Sequence, residues 1–239
     1  LGVIGVAIAT VLLPSLSNEC HKNNLNKTKV LFNKSMKLAS LLVVPSAFGL
    51  IAISYPLIQV LFERGAFVQS DTFATSKILN ILCLSLPALV YTKLFSNIFY
   101  ARNDTKTPMI VAFITMLFNL GFTIIFNELY GYIGIVIAIS ISNWINTLLL
   151  YFISYVRGFM VMYKGILKDI FKITVISILM ALIVYFGVMG LMADISVYSV
   201  GLKLLSLILL MIIGGIFYFT AIILCGILNL REIKRVLKK

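Results

Sequence analysis

The stretch LYGYIGIVIAISISNWINTLLLYFISYV, residues 129–156, contains no Asp, Glu, Lys or Arg in 28 positions. About 20 apolar residues in a helix, at 1.5 Å per residue, cross a hydrocarbon core about 30 Å thick. This stretch therefore predicts a transmembrane helix. Charge-free stretches of 21 to 27 residues also occur at 38–62, 107–127, 173–193 and 204–230, so the sequence predicts five such spans.

A sixth span is predicted between Asp71 and Arg102, where only Lys77 and Lys93 interrupt a long apolar run. The six full spans are then expected at about 38–62, 73–101, 107–127, 131–156, 173–193 and 200–228. The chain is 61% hydrophobic and 12% charged, whereas soluble domains average about 45–50% and about 25%. This composition excludes a water-soluble enzyme.

The first residues, 1–17, are apolar but too short to cross a membrane before Pro14. We interpret them as the end of a truncated transmembrane helix. A signal peptide is the alternative, but a basic region before the apolar run and a small-residue cleavage pattern after it are both missing.

Basic residues predict the orientation of these spans. Sixteen of the 20 Lys and Arg fall in loops on one side, and the other side holds only Arg64. The positive-inside rule places the sixteen-charge side, with the basic tail 229–239, in the cytoplasm. Anionic membrane lipids are the expected partners of this charge, and the net charge of +12 requires no nucleic acid.

Residues 157–172 show helical periodicity. Lys164, Lys168 and Lys172 recur at i, i+4 and i+8, with apolar residues from Tyr163 to Phe171 on another face. This pattern predicts a cytoplasmic interfacial amphipathic helix. Binding of lipid headgroups and a solvated charge run that only fixes topology are both compatible with it.

No pattern of catalytic residues is present. The sequence has no Gly-rich phosphate loop, paired carboxylates or nucleophile elbow, and Cys20, Cys83, Cys225 and His21 lack the spacing of a zinc site. We therefore expect no catalytic residues, no metal and no cofactor.

Two polar or small-residue stripes run along predicted spans at four-residue intervals. The first is Thr115, Asn119, Thr123 and Asn127, and the second is Gly134, Ala138, Ser142 and Asn146. Such faces must meet protein or water in a membrane. Helix packing and the lining of a water-filled cavity are the two interpretations.

Lys93 is the most informative charge. It lies nine residues before Arg102, so its Cα is about 13 Å along the helix from that residue. Its side chain either reaches back to the headgroups or meets an anionic substrate in a cavity. The candidate substrate-binding or cavity residues are Lys93, Asn97, Thr115, Asn119, Ser142 and Asn146.

Prolines mark bends and a helix start. Pro45 and Pro56 in one span and Pro87 in the next each remove a backbone hydrogen bond and predict kinks, which are common in transporters. Pro108 follows Asp104 and Thr105 and is predicted at the first position of a new helix.

Three blocks together resemble the C-terminal half of the MurJ/MviN lipid II flippases: GVIGVAIATVLLPSLS (Gly2 to Ser17), LFERGAF (Leu61 to Phe67) and FYARNDTKTP (Phe99 to Pro108). The resemblance implies an all-α polytopic membrane protein of the multidrug/oligosaccharidyl-lipid/polysaccharide exporter superfamily, with two lobes around a cavity. Residues 18–156 would complete the C-terminal lobe, and 173–228 would be two additional helices that form a groove suited to a polyprenyl tail.

The implied function is translocation of lipid II, the undecaprenyl-pyrophosphate-linked peptidoglycan precursor, across the bacterial cytoplasmic membrane by alternating access. The implied partners are this polyprenyl-linked lipid and the missing N-terminal lobe, which carries the cavity arginines of the family. A polysaccharide-lipid or drug exporter of the same superfamily is an alternative, although all eight acids lie in loops or at span ends. A non-transporting membrane scaffold is another.

Overall fold

The computed structural model describes residues 14, 16–18, 25–159, 164–191 and 200–227. These residues form six long helices and contain no strand. The helices are α1 (Leu25–Phe62), α2 (Gln69–Tyr100), α3 (Lys106–Tyr130), α4 (Tyr132–Val156), α5 (Lys164–Leu191) and α6 (Val200–Leu224). All six are long and apolar enough to cross a membrane. The predicted all-helical architecture with six spans is confirmed.

The first two helices are longer than the predicted spans. α1 has 38 residues and α2 has 32, so α1 includes Lys27, Lys29, Lys34 and Lys37 before its apolar part begins. A helix satisfies its own backbone hydrogen bonds and does not have to end where the apolar residues end. The absence of charges therefore located the apolar part of each helix and not its ends.

The prolines occupy helical positions. Pro45 and Pro56 lie inside α1 and Pro87 lies inside α2, and both helices continue beyond them. The prediction for Pro108 was off by two residues, because α3 begins at Lys106. The first four N–H groups of a helix have no partner within it, so a proline is tolerated throughout the first turn.

The interfacial helix predicted at 157–172 is not a separate element. α5 runs from Lys164 to Leu191 without a break between 172 and 173. No proline interrupts this stretch, so the backbone hydrogen bonds continue from the lysine-rich turns into the apolar span. Residues 160–163 lie outside the described part, and the location of the lysine-rich turns at a lipid surface stays a prediction.

Other predictions also fall on residues outside the described part. They concern the basic tail 229–239, Cys20, His21 and most of the truncated helix predicted at 1–17. Within that last segment Leu16 is described and is completely buried.

The chain forms two compact units. The first contains Leu1–Val44 and Ile81–Ile170, and the second contains Pro45–Asn80 and Phe171–Lys239. In the first unit, the ring of Phe95 lies 5.4 Å from Phe32 and 5.7 Å from Tyr151 between ring centroids. These aromatic contacts connect α1, α2 and α4.

The second unit has its own apolar core. Its buried members come from three helices: Ala52, Ile53 and Val60 of α1, Val184 of α5 and Leu207 of α6. Close contacts support this core, since a Cβ added at Gly214 would lie 2.6 Å from Val184 Cγ2. The two additional helices expected at 173–228 thus pack with part of α1.

Candidate functional site

The six candidate residues occupy three helices of the first unit as pairs four residues apart, so each pair shares one helix face. The pairs are Lys93 and Asn97 on α2, Thr115 and Asn119 on α3, and Ser142 and Asn146 on α4. Asn97, Thr115 and Ser142 are buried, while the other three are half-buried.

Lys93 is half-buried on α2 between the buried residues Tyr91 and Leu94. Lys37 pairs with Asp169 and Arg157 pairs with Asp104, and Lys93 belongs to neither of these ion pairs. A half-buried ammonium group is compatible with both predicted roles, because the four-carbon stem can lie against protein while the charge reaches water or headgroups.

The stripe on α3 changes along the helix. Thr115 is buried, and its Oγ1 is placed to donate to the carbonyls of Val111 (2.9 Å) or Ala112 (3.0 Å). Its hydroxyl is therefore satisfied within its own helix. Asn119 is half-buried and Asn127 is exposed, so this structure covers only the start of the stripe.

The small residues of α4 allow a close approach to α3. A Cβ added at Gly134 would lie 1.9 Å from the carbonyl oxygen of Phe126, and Ala138 is completely buried. Gly131 links the two helices with a positive φ of 59°, which glycine adopts without strain. The stripe on α4 is thus, at this end, a packing surface.

Ser142 lies further along the same stripe. Only 6% of its surface is exposed, and its Oγ has no hydrogen-bond partner. Most buried polar atoms in proteins have a partner. Ser142 is therefore the member of the candidate set with unused hydrogen-bonding capacity in a buried position.

A set of polar residues that the sequence analysis missed connects α4 with α2. Ser140 Oγ donates to the carbonyl of Ile81 (3.0 Å) and Trp144 Nε1 to that of Leu84 (3.1 Å). Thr147 Oγ1 lies 2.9 Å from the carbonyl oxygen of Ala88. The spacing i, i+4 and i+7 of the three α4 residues, which include the only Trp of the chain, is a pattern that could have revealed them.

The turn between α2 and α3 is organised around Asp104. Its Oδ1 accepts a hydrogen bond from the Thr107 N–H (3.0 Å), and its Oδ2 accepts one from the Thr107 hydroxyl (2.7 Å). Arg157 Nη1 lies 2.6 Å from Oδ2. The hydrogen bond from the Thr107 hydroxyl has the largest effect on the pKa of Asp104 and lowers it. Burial has the next largest effect and raises the pKa. The backbone N–H of Thr107 and the Arg157 guanidinium lower it further, so the pKa is below its ordinary value.

Arg102 lies beside this turn. Its guanidinium carbon is 4.2 Å from the ring centroid of Phe159, a cation–π distance, and Phe159 packs edge-on against Phe99 at 5.8 Å. The FYARNDTKTP block noted above therefore forms the end of α2, this turn and the start of α3.

Comparison with known families gives one match that covers most of the chain. The sequence model of the family described as "Lipid II flippase MurJ" matches residues 1–207.

Individual relatives are similar over about three quarters of the chain. A "Probable lipid II flippase MurJ" of Rhizobium meliloti (strain 1021) is 37% identical over 79% of this chain and 35% of its own length. The protein of the same name from Rickettsia prowazekii (strain Madrid E) is 32% identical over 78% of this chain and 38% of its own length. The "Lipid II flippase MurJ" of Thermosipho africanus (strain TCF52B) is 36% identical over 77% of this chain and 36% of its own length.

A solved structure is also similar. "Lipid II flippase MurJ, inward closed conformation" matches with a TM-score of 0.67 and 31% identity, over 92% of this chain and 44% of that protein. The chain thus spans less than half the length of these relatives.

Proposed function

Since the chain belongs to the MurJ family of lipid II flippases, we propose that it is the C-terminal part of a flippase that translocates lipid II across the cytoplasmic membrane. The observation that carries the proposal is the family match over residues 1–207, together with a solved MurJ structure that is similar over 92% of the chain. Because the relatives are more than twice as long, we assign the activity to a protein in which this chain is joined to an N-terminal part.

The chain is a multi-pass membrane protein, and its relatives are bacterial. We propose that its C-terminus and the lysine-rich start of α5 lie in the cytoplasm. The distribution of sixteen basic residues on one side and one on the other supports this orientation. Lys168 is exposed, as contact with anionic headgroups would require.

The protein acts, in this proposal, as a transporter by alternating access and not as an enzyme. The pyrophosphate-linked lipid would cross in a cavity whose wall includes α3 and α4. Asn119, Ser142 and Asn146 are the candidates for lining it, because Ser142 has an unused buried hydroxyl and the two Asn are half-buried. Thr115 has less free hydrogen-bonding capacity for a substrate, since its hydroxyl already donates within α3.

Two further partners are proposed from surfaces of the described residues. The N-terminal part of the same protein would cover α3, which is the least buried of the six spans and carries the exposed Asn127. The polyprenyl tail of the substrate would lie on the apolar side chains that α5 and α6 expose. Examples are Phe186, which is 64% exposed, and Leu209, which is 50% exposed.

A chimera tests the proposal. The part of the Thermosipho africanus relative that precedes its matched region would be fused in front of Leu1 and expressed in a bacterium depleted of its own flippase. We expect the chimera to restore growth and the 239-residue chain alone to fail at equal membrane abundance, because half of the cavity wall is then missing.

The matched control is the same fusion in which α3 and α4 carry three changes, Asn119→Leu, Ser142→Ala and Asn146→Leu. We expect this variant to reach the membrane without restoring growth. Growth supported by the isolated chain, or a correctly inserted chimera that never supports growth, would contradict the proposed function.

A further inference from the structure

One stretch of α2 accepts an unusual number of side-chain hydrogen bonds at its backbone. Between Ile81 and Ala88, four carbonyl oxygens lie within hydrogen-bond distance of a side-chain donor. They are Ile81 (Ser140, 3.0 Å), Leu82 (Ser85, 2.8 Å), Leu84 (Trp144, 3.1 Å) and Ala88 (Thr147, 2.9 Å). A helix carbonyl has a second lone pair and can accept a side-chain hydrogen bond beside its helical one, so these donors hold the backbone of this stretch in place.

Two residues of α2 weaken it. Pro87 lacks an N–H group and cannot donate to the carbonyl of Cys83 four residues earlier. Ser85 bonds back to the carbonyl of Leu82, an arrangement that bends helices. Because both lie in the same two turns, α2 has a local site at which bending is easy.

Three of the four side-chain donors come from one face of α4. Its donors are spaced i, i+4 and i+7, and the acceptors on α2 are spaced i, i+3 and i+7, so each set lies along one helix face. The pairs Ser140 with Ile81 and Thr147 with Ala88 advance in the same direction along both helices, which shows that α2 and α4 run parallel. In a membrane, a neighbouring helix can support the backbone near a proline, and the three acceptors lie on both sides of the Cys83 carbonyl and Pro87.

The three bonds differ in how easily they break. Ser140 and Thr147 are 8% and 4% exposed, whereas Trp144 is 37% exposed. Releasing a buried donor leaves it without a partner, which costs more than releasing one at the surface. The bond from Trp144 is therefore the one that can open at the lowest cost.

Thr147 adds a second adjustable contact. Its hydroxyl carries one proton but lies 2.9 Å from the carbonyl of Ala88 and 3.0 Å from that of Asn143 in its own helix. Thr92 Oγ1 lies 2.8 Å away and can donate to it. The Thr147 proton can thus turn from α2 to α4 while the hydroxyl keeps a partner.

We propose that residues 81–88 form a hinge in α2, and that Ser140, Trp144 and Thr147 of α4 hold its bend through a set of bonds in which Trp144 is the releasable one. The bend changes when the Trp144 Nε1 bond to Leu84 opens and the Thr147 hydroxyl turns to Asn143. All residues that take part in these bonds belong to the first unit. Its test uses no substrate, so it succeeds or fails independently of the proposed function.

The first measurement exploits the single Trp of the chain. In ¹⁵N-labelled chain in lipid nanodiscs, one indole N–H resonance reports the Trp144 bond. We expect relaxation dispersion on the microsecond to millisecond timescale, as for a hinge, and its loss in Pro87→Ala, where the helix backbone is complete. A resonance without exchange in the native chain would overturn the proposal.

The second measurement is hydrogen exchange of the α2 amides at 82–90. Trp144→Phe removes the donor and keeps an aromatic ring, and we expect it to speed exchange about fivefold, the effect of losing one net hydrogen bond. Phe152→Leu is the matched control, because Phe152 is an exposed aromatic on the same helix. It should leave these amides unchanged.

The same comparison in the Pro87→Ala background separates a hinge from ordinary packing. There we expect Trp144→Phe to change exchange less than twofold. An undiminished effect, or an equal effect of Phe152→Leu in the native background, would overturn the proposal. If Trp144→Phe does not fold, Thr147→Val with Thr147→Ser as the rescuing variant makes the same comparison.

Discussion

Arg157 Nη1 lies 2.6 Å from Oδ2 of Asp104, and this ion pair joins the turn after α2 to the residue that follows α4. The same carboxylate caps α3 through the N–H and hydroxyl of Thr107. Asp104 thus holds three helices of the first unit at one point. Its lowered pKa reports these contacts and makes their contribution to stability testable by pH.

Asp104→Asn keeps an oxygen that can cap α3 but removes the charge that pairs with Arg157, so it should destabilise the chain at pH 7 by up to about 1 kcal/mol, the range of a partly exposed ion pair. The pKa of Asp104 is lower in the folded state, so its stabilisation is complete above the unfolded value of about 3.9 and is lost as the pH falls through the folded pKa. The difference between native chain and variant should therefore be constant from pH 7 to about 5 and shrink below about pH 4.

Thermal unfolding of the purified chain in detergent, followed by circular dichroism from pH 7 to pH 3, measures this difference. Glu128→Gln is the control, because Glu128 is exposed at the opposite end of α3 and should have little effect. A difference between Asp104→Asn and native chain that stays constant down to pH 3 would refute the assignment.

Gly134→Ala should disturb the hairpin of α3 and α4. The added Cβ would lie 1.9 Å from a backbone oxygen of Phe126, which cannot move aside as a side-chain end can, so we expect a loss of about 1–3 kcal/mol. Gly121→Ala is the matched control, since no atom lies within 4 Å of its added Cβ and alanine favours a helix. Unfolding in SDS measures both variants; equal stability of the two would rule out close packing at Gly134.

The sequence predicted the six helices because the membrane imposes a strong rule on long segments. Each must satisfy its backbone internally and remain apolar over about 20 residues, so charge-free runs locate helices. Where a helix ends depends on local capping, which composition does not encode. For this reason the sequence predicts a boundary at 172 inside α5, and it predicts that α3 begins at Pro108, two residues after its observed start at Lys106.

The candidate site was predictable only in part. Four-residue stripes identified the close contact at Gly134 and the buried Ser142, because both are properties of one helix face. The contacts of Ser140, Trp144 and Thr147 with α2 depend on which helix lies beside that face and on which of its carbonyls come within reach. That information is tertiary, and residue types alone do not contain it.

Cysteine labelling tests the orientation. In a background without Cys20, Cys83 and Cys225, single cysteines at Lys168 and Gln69, both exposed in the structure, would be treated with an impermeant thiol reagent in intact cells. We expect Gln69→Cys to react and Lys168→Cys to be protected, because basic loops stay in the cytoplasm. Lysed cells, in which both should react, are the control, and the reverse pattern in intact cells would reverse the topology.

Lys93→Met decides between the two roles of this lysine. Met keeps the length and the apolar stem but removes the charge. If Lys93 only reaches back to the headgroups, the variant should be neutral or slightly more stable, because insertion of a lysine at the centre of a span costs about 2.5–3.5 kcal/mol. We expect the chimera with Lys93→Met to support normal growth of flippase-depleted bacteria at normal membrane abundance, as measured by immunoblot. Failed growth at normal abundance, restored by Lys93→Arg, would instead show that the charge meets the anionic group of the substrate during transport.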